Sequence, residues 1–172
     1  MDIYVSILKF QSMDIIEEEG RRIAGDVMSI LMPYLTLYER LKLGRYASYS
    51  CIKGFDASDA GVMIIHSADD EMISKEISFD VFENRYRSDP RFQFVSYEDR
   101  GHNYVYYSDA AREYIDTFNQ SFDQSLSSLG EDFTPEIKAS YLKDNLDKKR
   151  LYDLDEELMD RIINFYDTMV LK

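Results

Sequence analysis

The chain is short of positive charge. It sets 20 lysines and arginines against 33 acidic residues, for a formal charge of −13 and a pI near 4.5. That balance leaves no face basic enough for a phosphate backbone or anionic headgroups, so neither nucleic acid nor a membrane is an expected partner. Cysteine is scarcer still. Cys51 is alone, which excludes an internal disulfide and favours a reducing, cytoplasmic compartment over a disulfide-stapled secreted one. No apolar run approaches the ~20 residues of a spanning helix, and Met1-Asp2-Ile3-Tyr4 lacks the basic start of a signal peptide. Internal repeats and low-complexity blocks are missing too. What remains is 172 residues, 45% apolar and 14% aromatic, enough for one domain with a real core.

The most informative stretch is residues 61–107. Residues 62–65 are an apolar run of strand length that stops at His66-Ser67-Ala68-Asp69-Asp70, a turn signal. Ile73, Ile77 and Val81, with Phe82 beside them, then recur at helical spacing until Ser88-Asp89-Pro90. Residues 92–97 alternate aromatic or aliphatic with polar residues and close on Glu98-Asp99-Arg100-Gly101-His102. A strand, a helix and a strand joined by a right-handed crossover form a parallel pair whose ends share one sheet edge. Ligands bind at that edge in open parallel sheets. Asp70 and His102 are thereby expected on neighbouring loops, where one can orient the other.

These residues resemble the α/β-hydrolases of the serine esterase and peptidase type. The family's late acid follows a strand in a pattern like His-Gly-x-x-Asp-x-x-Val-Pro, and here the chain reads IIHSADDEMIS; its late histidine follows a glycine, and here it reads DRGHNY. Ser67 stands where Gly is usual and Ser74 where Pro is usual. The resemblance covers roughly residues 2–119. It implies an α/β fold, a partial hydrolase sheet of three late parallel strands, and a triad acid at Asp70 with a triad base at His102, in the chain order Ser, Asp, His. Asp69 is the rival acid.

The remaining chain fits around that unit. Residues 3–8 read as a strand, and a parallel strand needs neighbours on both sides, so further strands are expected upstream. From Asp14 to about Leu43 the pattern is helical. Ile16, Ile23, Val27, Ile30, Leu31, Tyr34, Leu35, Tyr38 and Leu41 mark a stripe expected to be buried, and Pro33 is expected to kink it or start a second helix. By the resemblance residues 13–43 are a helical cap insertion, whose Met28, Met32 and tyrosines either line a pocket or pack against the sheet. Residues 44–60 read as a returning loop. After His102, Ser108 can cap a helix carrying Ala111, Ile115, Phe118, Phe122 and Leu126. Residues 127–132 read as a linker, Thr134-Pro135 as a helix start, and Leu154, Leu158, Ile162, Phe165 and Met169 as the apolar stripe of a last helix. This divides the chain into residues 1–126, the carboxyl-terminal part of a hydrolase domain, and a helical tail, 127–172, that docks on the body or on a second copy.

The chemistry is incomplete. A serine hydrolase needs a hydroxyl nucleophile, a histidine to take its proton, and a carboxylate to fix the histidine's tautomer. Asp70 and His102 supply the last two. No Gly-x-Ser-x-Gly elbow is present, and Ser48, Ser50 and Cys51, the candidate nucleophiles upstream of the acid, do not lie between glycines. The nucleophile half is therefore expected upstream, and the chain alone is expected to be inactive. Small-molecule or peptide esters and amides are the implied substrates. The competing expectation is a noncatalytic remnant that pairs with a missing half, a partner or another copy through its open strand. His66 is expected to end its strand as a satisfied structural residue. With Asp70 and His102 it could form a two-histidine, one-carboxylate metal site, but the spacing matches no metal motif, so neither metal nor cofactor is expected. Arg100 is expected to pair with Glu98, Asp99 or the acidic surface.

Overall fold

The computed structural model of the protein describes residues 3–7, 12–48, 50–129 and 134–170. The chain is mixed α/β, mostly helical, with a small parallel sheet. Its middle strand, β2 (Gly61–Ser67), is buried at every position. An unbroken Gly-Val-Met-Ile-Ile run without polar alternation is what a strand covered on both faces requires. β3 (Phe92–Tyr97) pairs with it in parallel, Val62 opposite Phe92 through Ser67 opposite Tyr97, and β1 (Ile3–Ile7) lies parallel on the other side. At Gly61 an added Cβ would lie 2.7 Å from Met169 Cγ, so the missing side chain lets Met169 and Phe165 approach the strand.

Val62 and Ile64 share one face of the sheet with an aromatic layer from α4 (Phe79–Tyr86). Phe79, Phe82 and Tyr86 are buried, with Phe55, Phe92 and Phe94 packed around them. Tyr86 stacks on Phe92 with centroids 4.3 Å apart, and Phe55 meets Phe82, Tyr86 and Phe92 edge to face. Burial of each large apolar side chain contributes roughly 1.5–3 kcal/mol. The helix expected from Ile73 begins six residues later. Asp70 takes the N–H groups of Met72 and Ile73, and the Ser78 hydroxyl donates to the Ser74 carbonyl at 2.5 Å, which holds the intervening chain in turns.

Two further expectations are corrected. Residues 44–60 are not simply a loop: they contain a 3-10 helix, Gly44–Ser48, and α3 (Cys51–Asp56), whose first turn is capped by Ser50 Oγ accepting the Lys53 N–H. In the helical segment before them, α1 (Ser12–Ala24) and α2 (Val27–Leu43) meet at Gly25, which sits at φ +58°, a conformation that favours glycine. Pro33 lies inside α2 and does not divide it. The stripe expected to be buried here is mostly open to solvent: Ile23, Val27, Ile30, Leu31, Tyr34, Tyr38 and Leu41 are exposed, and Met28 is the buried position of α2.

Two compact units divide the chain, Met1–Val105 with Ile162–Lys172, and Tyr106–Arg161. In the second, Ser108 Oγ accepts the Ala111 N–H at the start of α5 (Asp109–Leu129) and donates to Asp153 at 2.6 Å. Ser127 and Ser128, read from sequence as linker, continue α5; Gly130, Glu131 and Asp132 lie outside the described residues. Thr134 caps α6 (Pro135–Asn145) with Pro135 in its first turn, and α7 (Lys148–Leu151) follows. The last helix, α8 (Glu156–Val170), buries Leu158, Phe165 and Met169, whereas Leu154 stands before it, exposed. Among the described residues no helix is long and apolar enough to cross a membrane.

Candidate active site

Because β2 and β3 run parallel and in register, the loops that leave them start side by side. Ala68 N–H donates to the Tyr97 carbonyl at 2.7 Å, extending the pairing one step beyond both strands. On the β2 side, Asp70 Oδ1 accepts two backbone N–H groups, from Met72 and Ile73, each at 2.9 Å. Its side chain is only 6% exposed. A carboxylate so enclosed needs compensating donors, and His102 completes the set, with Nδ1 at 2.8 Å from Oδ2 and 3.0 Å from Oδ1. Asp70 and His102, separated by thirty-two residues in sequence, are therefore in direct contact.

The contact fixes a tautomer. An ionised carboxylate only accepts, so Nδ1 carries the hydrogen and donates it, leaving Nε2 with its lone pair. The imidazole keeps about a third of its surface open. Such a dyad can accept a proton at Nε2, and the carboxylate stabilises the resulting imidazolium.

A second set of hydrogen bonds, which the sequence did not announce, locks the two loops together. Ser67 Oγ accepts the Arg100 N–H at 2.8 Å and donates to Asp69 Oδ1 at 2.5 Å, and the same oxygen accepts the Gly101 N–H at 2.8 Å. Burial alone would raise the Asp69 carboxyl, but the Ser67 hydroxyl and the Gly101 and Arg100 N–H groups outweigh it and hold it below its usual value. Asp69 thus clamps the backbone just before His102, and Asp70 holds the ring. Gly101 turns at φ +59°, so the residue before His102 is suited to glycine. The signals for this clamp were Ser67 at the strand end and the glycine in Arg-Gly-His.

Arg100 lies inside the fold rather than on the surface. Its guanidinium lies 3.6 Å over the Tyr97 ring, and Nη1 donates to the Val105 carbonyl at 2.9 Å. His66 does not end β2, which runs one residue further to Ser67; it lies in the buried layer, stacked on Phe79, and is not fully satisfied, because Nε2 has no partner among the described residues. Burial pushes its pKa down, with Asp70 pulling the other way and Lys75 adding to the depression, so the ring is held neutral. No cluster of three His, Cys, Asp or Glu side chains arranged to hold a metal occurs among the described residues. Of the candidate nucleophiles, Ser50 serves as a helix cap and half-buried Cys51 has its thiol pushed up by burial, which disfavours the reactive thiolate. The Ser48 side chain lies outside the described residues.

From the hairpin of α1 and α2, Glu18 accepts the Ser74 hydroxyl at 2.9 Å, four residues beyond Asp70. No family model, no curated protein and no solved structure matches the chain.

Proposed function

We propose that the chain carries the acid and base of a serine hydrolase, an α/β-hydrolase of the esterase or peptidase type acting on ester or amide bonds. The observation that carries the reading is the contact of His102 Nδ1 with both Asp70 oxygens at the ends of neighbouring parallel strands. In this reading His102 Nε2 takes the proton of a hydroxyl nucleophile as that oxygen attacks the acyl carbon, then returns it to the leaving group. Asp70 keeps Nδ1 protonated and stabilises the imidazolium between the two transfers. The α1–α2 hairpin, tethered to the acid's loop through Glu18 and Ser74, takes the place of a cap beside the site.

The hydroxyl comes from another polypeptide segment, because the sequence lacks Gly-x-Ser-x-Gly. Alone, the chain is therefore expected neither to turn over p-nitrophenyl esters appreciably nor to react with a fluorophosphonate probe. Joined to or mixed with a polypeptide encoded beside it that bears the strand, Gly-x-Ser-x-Gly and helix of a nucleophile elbow, it is expected to do both. Asp70→Asn and His102→Gln should then each lower turnover by about 10²–10⁴-fold, the usual weight of a positioned general base. Turnover by that pair indifferent to both substitutions would sink the proposal.

A second reading is favoured by the edge of the sheet: β1 pairs with β2, and no strand covers its other side among the described residues. An open edge offers its N–H and C=O groups to another strand. In this reading the chain is a noncatalytic module, and a complex formed through β1 stays inactive in every combination.

A further inference from the structure

The largest feature that the dyad leaves unused is the outer face of α2. Val27, Ile30, Tyr34, Leu37 and Leu41 follow one another at steps of three, four, three and four, and all five are more than half exposed. A strict three-four step is the seam of a coiled coil, narrower than the stripe a helix turns to a globular core. The opposite face of α2 is already covered. Met28 is buried, Leu35 half-buried, and Met28 lies so close to Gly20 of α1 that a Cβ there would come within 2.4 Å of its sulfur. At 100° per residue the five seam positions point away from Met28, so α1 cannot cover them.

We propose that this seam is the interface with a second copy of the chain, the two α2 helices lying antiparallel about a two-fold axis at Tyr34. Charge and symmetry select that occupant and that direction. Val27 and Leu41 stand seven residues to either side of Tyr34, so an antiparallel copy sets Val27 against Leu41, Ile30 against Tyr38, Leu31 against Leu37 and Tyr34 against Tyr34, the self-complementarity that a two-fold interface demands. Asp26 precedes α2, while Arg40 and Lys42 occupy its last turn. Antiparallel packing brings Asp26 of each copy to Arg40 of the other, whereas parallel packing leaves them at opposite ends. Flanking the seam, Leu31 and Tyr38 are also exposed and widen the apolar contact. The seventeen residues of α2 include Glu39, Arg40 and Lys42, and the helix does not qualify as a membrane span. This inference stands apart from the hydrolase reading, since it uses none of the dyad's residues.

Sedimentation velocity of the full chain over a range of concentrations tests it. The expected result is a reversible dimer, with Tyr34→Arg raising its dissociation constant by about 30-fold or more, as loss of a central anchor does. Because Tyr34 is exposed, the variant should keep the wild-type circular dichroism spectrum. Cross-linking reads the direction: in a Cys51→Ala background, Val27→Cys mixed with Leu41→Cys should form a disulfide-linked dimer, and Val27→Cys alone should not. A chain monomeric at every concentration, a dimer indifferent to Tyr34→Arg, or self-linked Val27→Cys would each overturn the proposal. So would a monomer that sediments with phosphatidylcholine vesicles and loses that binding in Tyr34→Arg, which would assign the face to lipid.

Discussion

The β2–β3 edge and the α1–α2 hairpin have equally regular apolar sequences and opposite fates. Along β2, Val62, Met63, Ile64 and Ile65 are all enclosed, with α4 covering one face. Along α2, side chains of the same kind are left open, because α1 covers one side and nothing among the described residues covers the other. Periodicity therefore identifies an element and its apolar face; it does not say whether the cover for that face lies in the same chain. Side chains with no cover should also be those whose loss leaves the monomer's stability unchanged.

Substitutions in the enclosed region should cost far more stability than those in the open one. Phe82→Ala removes a fully buried ring from the centre of the aromatic layer and should destabilise the protein by about 3–5 kcal/mol in urea unfolding. Ser67→Ala removes an acceptor of the Arg100 N–H and one donor to the Asp69 carboxylate, which keeps the Gly101 N–H, and should cost about 1–3 kcal/mol. It should also loosen the loop ahead of His102, visible as faster hydrogen exchange at Arg100 and Gly101.

A smaller effect depends on pH. The folded-state pKa of His66 lies below its ordinary 6.5 because burial disfavours the charged ring. The unfolded chain then binds more protons below 6.5, so His66 should lower stability as pH falls through that value toward the depressed folded pKa. His66→Phe should flatten this part of the stability curve; an unchanged slope would mean that the ring is not buried neutral. Smallest of all, Leu41→Ser at concentrations where the chain is monomeric should change stability by no more than about 0.5 kcal/mol. A loss matching that of Phe82→Ala would erase the distinction between the two regions.

What could be read from the sequence follows the same division. β3 was legible to the residue, because Phe92, Phe94 and Val95 mark a strand and Asp89-Pro90 a boundary. The meeting of Asp70 with His102 was legible because a parallel crossover puts both strand ends on one edge. The start of α4 was not, since Ile73 and Ile77 keep helical spacing while Asp70 and Ser78 capture the backbone in turns. In the hairpin, Pro33 drew attention from Arg21-Arg22-Ile23-Ala24-Gly25, where basic residues followed by glycine signal a helix end. The clamp from Ser67 and Asp69 to Arg100 and Gly101 depends on backbone donors, which any residue but proline carries, so side-chain identity gave little notice of it.

Asp70 dictates which nitrogen of His102 is protonated, and 15N NMR of the imidazoles reads that directly. With the His66 signals assigned from His66→Gln, His102, read at a pH where its ring is neutral, should show Nδ1 protonated and Nε2 bare in the wild type, and should lose that preference in Asp70→Asn. A ring protonated at Nε2 in the wild type, or one whose tautomer ignores Asp70→Asn, would contradict it.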